Sequence, residues 1–351
     1  MNILIVKLSA VGDVAMSLPF LEALRSAHPR AHIAWVVEEA SADLVRGHPH
    51  LDQVLVSRRK KWTQGLVGRG LPRAASQMRR FYQDLRSRPW DVVVDLQGLF
   101  KSGILVSLSG GRRRIGFENA REGADRFYNE ALAAYDPDRH ALLRYLDAAH
   151  YLGADPEEPI RYRIPVDPTG AAAAEGIWAS GPPGPRAAVN PGAKWVTKRW
   201  PLDHWRRLVQ WMTDQGLCVV LTGGRDERDF NRRIAAGLAP VIDVTGMTSL
   251  KTLAELYRQA DLLVCPDTGP MHVAAAVGCP AVALFGPTAP WRTGPYGAAH
   301  RVLRAPMTCA PCFRKKCSDH HCMADIPPER VVSEIKDVLA PRKVELEDSP
   351  Y

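Results

Sequence analysis

Two aspartates, Asp13 and Asp267, stand where an apolar run gives way to a helical one, the place where a carboxylate can do chemistry on a ligand. Asp13 ends the turn Lys7-Leu8-Ser9-Ala10-Val11-Gly12, a strand-to-helix connection of the phosphate-binding kind. With one glycine and no Gly-Lys-Ser/Thr ending, it is neither a dinucleotide loop nor a Walker loop, so kinase and dehydrogenase readings lose their support. What it offers is a carboxylate, which at a helix start either caps the first turn, worth about 1 kcal/mol, or takes the proton of an attacking hydroxyl.

Asp267 opens a different turn. Leu262-Leu263-Val264-Cys265 reads as a buried strand, and Pro266-Asp267-Thr268-Gly269-Pro270-Met271-His272 leads directly into a helix that stops at Gly278. Free N–H groups and the positive dipole end of that helix suit a diphosphate, with Thr268 and Gly269 allowing close approach and His272 in the first turn. The loop from Asn190 to Pro201 follows another strand and carries Lys194, Lys198 and Arg199, of which the last two can neutralise a departing diphosphate.

Of the seven cysteines, Cys218, Cys265 and Cys279 lie in apolar stretches, which argues against a disulfide framework and fits a reducing compartment. Cys309, Cys312, Cys317 and Cys322, with His320 and His321 adjacent, form a cluster whose closed four-coordination would make a structural zinc site; unmetallated loop thiols are the alternative. Asp136-Pro137-Asp138 lies in a proline turn and reads as a helix entry, not a metal motif.

The elements that position these residues alternate. Ile3 to Val6, Ile33 to Val37 and Val92 to Leu96 are each followed by a helical pattern, and a second series begins after Gly181-Pro182-Pro183-Gly184-Pro185. Such alternation means parallel sheets covered on both faces, whose ligands bind beyond the carboxyl ends of the strands. The chain of 351 residues thus divides into domains 1–165 and 166–351, with a cleft between them and the last helix, Pro328 to Leu339, expected to cross back to the first domain. No apolar run approaches the roughly 18 residues of a membrane span, and the start lacks a signal peptide's features, so a cytoplasmic protein is expected.

The formal charge of +8 is uneven, with ten Lys or Arg but only Asp84 as an acid between residues 58 and 88. Such a strip suits a polyanion: a phosphorylated glycolipid, an anionic membrane face or nucleic acid.

Together Lys7 to Asp13, Lys198-Arg199-Trp200-Pro201 and Asp267 to His272 resemble the ADP-heptose:lipopolysaccharide heptosyltransferases of glycosyltransferase family nine, over nearly the whole chain. Asp95-Leu96-Gln97-Gly98 to Ser102, Ile115-Gly116-Phe117 and Ala120-Arg121-Glu122 look closest to heptosyltransferase I, whereas the cysteine segment looks more like heptosyltransferase II. The resemblance implies an α/β GT-B architecture, two Rossmann-like doubly wound domains facing a central cleft, and inverting transfer from ADP-L-glycero-D-manno-heptose that requires no cofactor for catalysis. It assigns Asp13 as the base. It places the donor on Thr197, Lys198, Asp267, Thr268, Gly269, Pro270, Met271 and His272. The lipid A-linked Kdo or heptosyl-Kdo acceptor falls to Ser9, Gly12, Gln97, Arg121 and the run Arg58, Arg59, Lys60, Lys61, with peripheral contact at the inner membrane. A related enzyme with another nucleotide sugar is the nearest competing reading, and a zinc-containing nucleic-acid-binding protein, which explains neither Asp13 nor the Asp267 turn, is the alternative from another class.

Overall fold

A computed structural model describes residues 1–65, 71–156, 160, 162–238, 240–319 and 321–340. Arg69 of the basic strip and His320 of the cysteine segment lie outside the described residues.

The first half supplies strands β1 (Asn2–Val6), β2 (His32–Glu38), β3 (Gln53–Ser57), β4 (Val92–Asp95), β5 (Arg113–Phe117) and β6 (Glu130–Leu132). The second supplies β7 (Arg186–Val189), β8 (Cys218–Leu221), β9 (Val241–Asp243), β10 (Leu262–Pro266), β11 (Ala281–Phe285) and β12 (Arg301–Arg304). Helices α1 (Val11–Met16), α2 (Leu18–Ala27), α3 (Arg59–Gly65), α4 (Leu71–Leu85), α5 (Phe100–Ser109), α6 (Ala141–Tyr151) and α7 (Pro168–Ala179) precede α8 (Leu202–Asp214), α9 (Arg228–Ala235), α10 (Leu250–Arg258), α11 (Gly269–Ala276), α12 (Pro290–Thr293), α13 (His321–Ala324) and α14 (Pro328–Leu339).

Two six-stranded sheets result, ordered β3-β2-β1-β4-β5-β6 and β12-β11-β10-β7-β8-β9, with parallel pairing throughout. Each is a doubly wound sheet, and its order reverses between β1 and β4 in one and between β7 and β10 in the other. Loops that leave these strands therefore open a crevice, and both aspartates sit on them. Runs such as Ile3 to Val6 and Leu262 to Cys265 are buried on both faces, as parallel strands under helices must be. Among the described residues no helix is long and apolar enough to cross a membrane. The last helix does not return to the first domain: α14 packs on α8 and on β10, β11 and β12, its Val331 and Ile335 buried there.

Between the two sheets the chain is fastened on both sides. His48 takes the backbone N–H of His50 on Nδ1 and so presents an Nε2 proton to the Arg163 carbonyl, 3.0 Å away. From the second domain Arg258 donates to the Ile164 carbonyl at 3.0 Å, Glu255 accepts the Asp167 N–H at 3.0 Å and Lys251 meets the Asp167 carboxylate at 3.1 Å.

The loop after β4 is shaped by Asp95, which is 1% exposed. Its Oδ1 accepts the N–H groups of Gln97 and Gly98, and its Oδ2 the hydroxyls of Ser102 and Tyr128. Burial pushes the carboxyl above its ordinary pKa against the pull of these donors. Replacing Asp95 strands several buried donors at once, each costing about 1–3 kcal/mol. Asp95→Ala is therefore expected to lower stability by about 2–4 kcal/mol, with Asp95→Asn in between; calorimetric melting that leaves Tm unchanged would remove this loop's claimed anchor.

Candidate functional site

Gln97, held by Asp95, turns its side-chain carbonyl back onto the first loop, where Oε1 accepts the N–H groups of Leu8 at 3.1 Å and Ser9 at 2.9 Å. Ser9 Oγ accepts from Lys101 Nζ at 2.7 Å, and the same ammonium pairs with Glu38 at 3.0 Å. The chain then enters α1, and Asp13 Oδ2 accepts the Ala10 N–H at 3.0 Å. Both roles open to Asp13 are thus accommodated: one oxygen closes the helix start, and among the described residues the other has no hydrogen-bond partner.

Asp13 lines a cavity of about 130 Å³ with Lys7, Gln97, Gly98, Arg121, Arg144 and Tyr145. Lys7 is buried, its Nζ 2.7 Å from the Tyr145 hydroxyl and 3.0 Å from the Leu96 carbonyl. Burial alone would lower its pKa, but Tyr145, Asp13 and Asp95 outweigh that and raise it, so Lys7 keeps its charge beside the Asp13 carboxylate. The cavity thus joins the cations Lys7, Arg121 and Arg144 to a carboxylate with a free oxygen, Asp13.

The second-domain half is centred on Asp267. Its Oδ2 receives Lys198 Nζ at 2.6 Å and the Thr288 hydroxyl at 2.6 Å, so two of the expected donor residues are paired with each other. Thr268 precedes α11 without spending its hydroxyl on a cap, and Thr268, Gly269 and Pro270 are half-buried at the helix start. Three expected contacts are corrected. Met271 is fully buried in the core and has no surface for a ligand. The buried Thr197 gives its hydroxyl to the Arg314 carbonyl at 2.8 Å. Gly12 is likewise buried, because it is where the two domains touch and not where an acceptor could reach.

That contact is the closest feature of the site. Helix α1 packs against α11, and a Cβ on Gly12 would fall 2.5 Å from His272 Cδ2, while one on Gly269 would stand 3.3 Å from Val11 Cβ. Two glycines therefore let the two helix starts meet, bringing Asp13 beside the amino end of α11. His272, at 5% exposure, is part of this seam, and desolvation pushes its pKa down to about 4. A second tie lies at the rim, where His140 Nε2 is 3.0 Å from the Gly294 carbonyl and Trp291 Nε1 donates to Asp138 at 3.3 Å. His140 also caps α6, so the Asp136 to Asp138 turn does lead into a helix.

The basic run folds into α3 and the turn before it. Arg58 and Lys61 pair with Glu39 at 3.0 and 2.7 Å, Arg59 stands 3.9 Å from Glu38, and Lys60 is exposed. These acids come from the end of β2 and the turn after it, a neighbourhood the local sequence did not show. No three of the sulfurs of Cys309, Cys312, Cys317 and Cys322 gather within 4.8 Å, so among the described residues they do not form a tetrahedral ligand set. Glu22, His48 and His50 do bring ligand atoms that close. Yet His48 spends both ring nitrogens on hydrogen bonds, with Arg163 3.8 Å from Glu22, an arrangement for pairing charges and not for binding a cation.

Lys7, Lys101, Arg144, Tyr145 and Thr288 belong to the site but were not read from the sequence. Lys7 opens the turn that leads to Asp13 but carried no role there; Arg144 and Tyr145 reach the site because α6 packs on α2 and α1.

Residues 78–323 match the model of glycosyltransferase family 9 (heptosyltransferase). The chain is 32% identical to lipopolysaccharide heptosyltransferase 1 of Pseudomonas aeruginosa, covering 97% of this chain and 98% of the relative. It is 26% identical to lipopolysaccharide heptosyltransferase 2 of Escherichia coli, over 97% and 99% of the two chains. An Escherichia coli heptosyltransferase solved with ADP superposes with a TM-score of 0.78 at 28% identity, over 96% of this chain and 100% of that one.

An imidazole kept neutral in the fold but titrating near 6.5 when unfolded supports the folded state fully above that pH, and its support drains as pH falls from 6.5 toward about 4. His272→Gln should therefore flatten the loss of stability across that window. An unchanged acid-denaturation profile would place the pH dependence elsewhere.

Proposed function

The chain belongs to glycosyltransferase family 9, the heptosyltransferases, and from that premise we propose that it adds the first heptose of a lipopolysaccharide core, from ADP-L-glycero-D-manno-heptose to Kdo on lipid A, with inversion. The observation that carries this reading is the seam between α1 and α11, which sets a carboxylate with a free oxygen next to a helix start preceded by Asp267 and by the Lys198 that Asp267 holds from another loop. The greater likeness to heptosyltransferase 1 over the full length supports the bare Kdo acceptor.

In a single displacement the acceptor hydroxyl attacks the anomeric carbon from the face opposite ADP, Asp13 takes its proton, and ADP leaves with the bonding electron pair. Charge growing on the leaving phosphate meets Lys198 and the Gly269 N–H at the start of α11, Pro270 having none and Met271 giving its own to the Thr268 carbonyl; such aids are worth about 3–4 kcal/mol per preorganised donor in other enzymes. Lys198 is held by Asp267 until a diphosphate competes for it. One base and one cationic pocket suffice. Seclusion of the donor from water falls to the closely packed domains.

On the acceptor side Gln97 and Arg121 border the Asp13 cavity, Ser9 lies on the loop that leads to Asp13, and Arg58 to Lys61 are set to meet the acidic sugars and phosphates of the lipid. The exposed α3 and α4 would rest on the anionic inner leaflet of the inner membrane, from the cytoplasmic side, and the basic strip is assigned to that surface and not to nucleic acid.

Purified protein should release ADP from ADP-heptose with Kdo-lipid A as acceptor; activity only on an acceptor already carrying one heptose would move it to the second step. Asp13→Ala should lower kcat by several orders of magnitude and leave ADP affinity within about twofold, since a base acts mainly in the transition state. Lys198→Ala should weaken both. Undiminished turnover in Asp13→Ala would refute its role as the base.

A further inference from the structure

The cysteine segment has a use that does not depend on metal. Cys312 and Phe313 both donate their N–H groups to the Pro287 carbonyl, at 3.0 and 2.8 Å, just past β11. The next residue, Arg314, accepts the Thr197 hydroxyl at 2.8 Å. The segment thus bridges the two loops that carry Thr288 and Lys198, the partners of Asp267. Its far end is fixed by packing: Gly286 leaves the space in which a Cβ would come within 3.0 Å of Cys322 Sγ and 2.8 Å of Met323 Sδ.

Pinned in this way, the segment delivers Lys315 to the indole of Trp195, its Nζ 5.4 Å from the ring centroid. Lys198 Nζ lies 4.5 Å from the centroid of the same ring. Two ammonium groups therefore share one aromatic side chain. Lys198 is neutralised by Asp267, whereas among the described residues Lys315 has no carboxylate within 4.0 Å. Like charges gathered beside a ligand edge repel one another until an anion is shared between them.

We propose that Lys315 is a second diphosphate-binding cation of the donor site, brought there by the cysteine segment, so that a nucleoside diphosphate is gripped by both Lys198 and Lys315 beside Trp195. This rests on the donor-site reading above. Lys198 exchanges its carboxylate partner for phosphate, while Lys315 gains an anion it lacked, so Lys315 contributes chiefly to binding and to holding the leaving group.

The test is calorimetric titration of the full-length protein with ADP and, by competition, with adenosine, for wild type, Lys315→Ala, Lys315→Arg and Lys198→Ala. The expected result is a rise of about 5- to 10-fold in the ADP Kd for Lys315→Ala, near-recovery in Lys315→Arg, and unchanged adenosine affinity, as for one charge-assisted contact at a partly wet site. If Lys198→Ala weakens ADP while Lys315→Ala does not, Lys315 is outside the site and the donor-site reading survives alone. If Lys315→Ala and Lys315→Arg lose ADP and adenosine alike, the side chain only holds the segment and the proposal is overturned. If wild type does not bind ADP, or Lys198→Ala is without effect, the donor site itself is misplaced and the inference falls with it.

Discussion

Asp95 is a carboxylate taken out of water with four donors closing on it, and the acceptor half of the molecule is arranged around that one group. Two of the donors are backbone N–H groups, which bend the chain after β4 so that Gln97 turns back. Gln97 in turn occupies the loop N–H groups of Leu8 and Ser9, and that loop delivers Asp13. The Asp13 carboxylate is thereby positioned through three successive hydrogen-bonded steps, none of which uses its own free oxygen. The base role proposed for it needs that oxygen free to accept, and its placement is delegated to neighbours that are fully satisfied.

The second domain solves a different problem, holding two cations side by side. Asp267 serves as a stand-in anion for Lys198, and Trp195 offers its face to both nearby ammonium groups. Where α1 meets α11 the close approach depends on glycine. Gly12 and Gly269 bring two helix starts together, and His272 fills the space beside them as a neutral, desolvated ring. Charge is thus kept out of the seam and concentrated on either side of it.

The architecture was legible because its signals are local: runs such as Ile3 to Val6 must be buried on both faces, and Pro/Gly-rich turns separate them. The two-sheet arrangement and the placement of Asp13 and Asp267 at strand ends follow from that pattern. Side-chain partners were less legible, because they depend on which elements come together in space. Nothing near Lys198 in sequence announces that Asp267, 69 residues on, will hold it. Motif membership also misled at Gly12 and Met271, whose places in the turns are fixed by helix packing and not by ligand contact. The last helix was misplaced for a similar reason: its apolar stripe shows that it packs, but not on which sheet.

The segment joining the domains is clamped on both sides, by His48 on one and by Arg258, Glu255 and Lys251 on the other. Three of these four ties end on main-chain atoms of the strip, the carbonyls of Arg163 and Ile164 and the N–H of Asp167. The course of the chain between the two sheets is therefore written into its neighbours and not into its own side chains, and most of the strip can change in sequence without losing its hold on either domain.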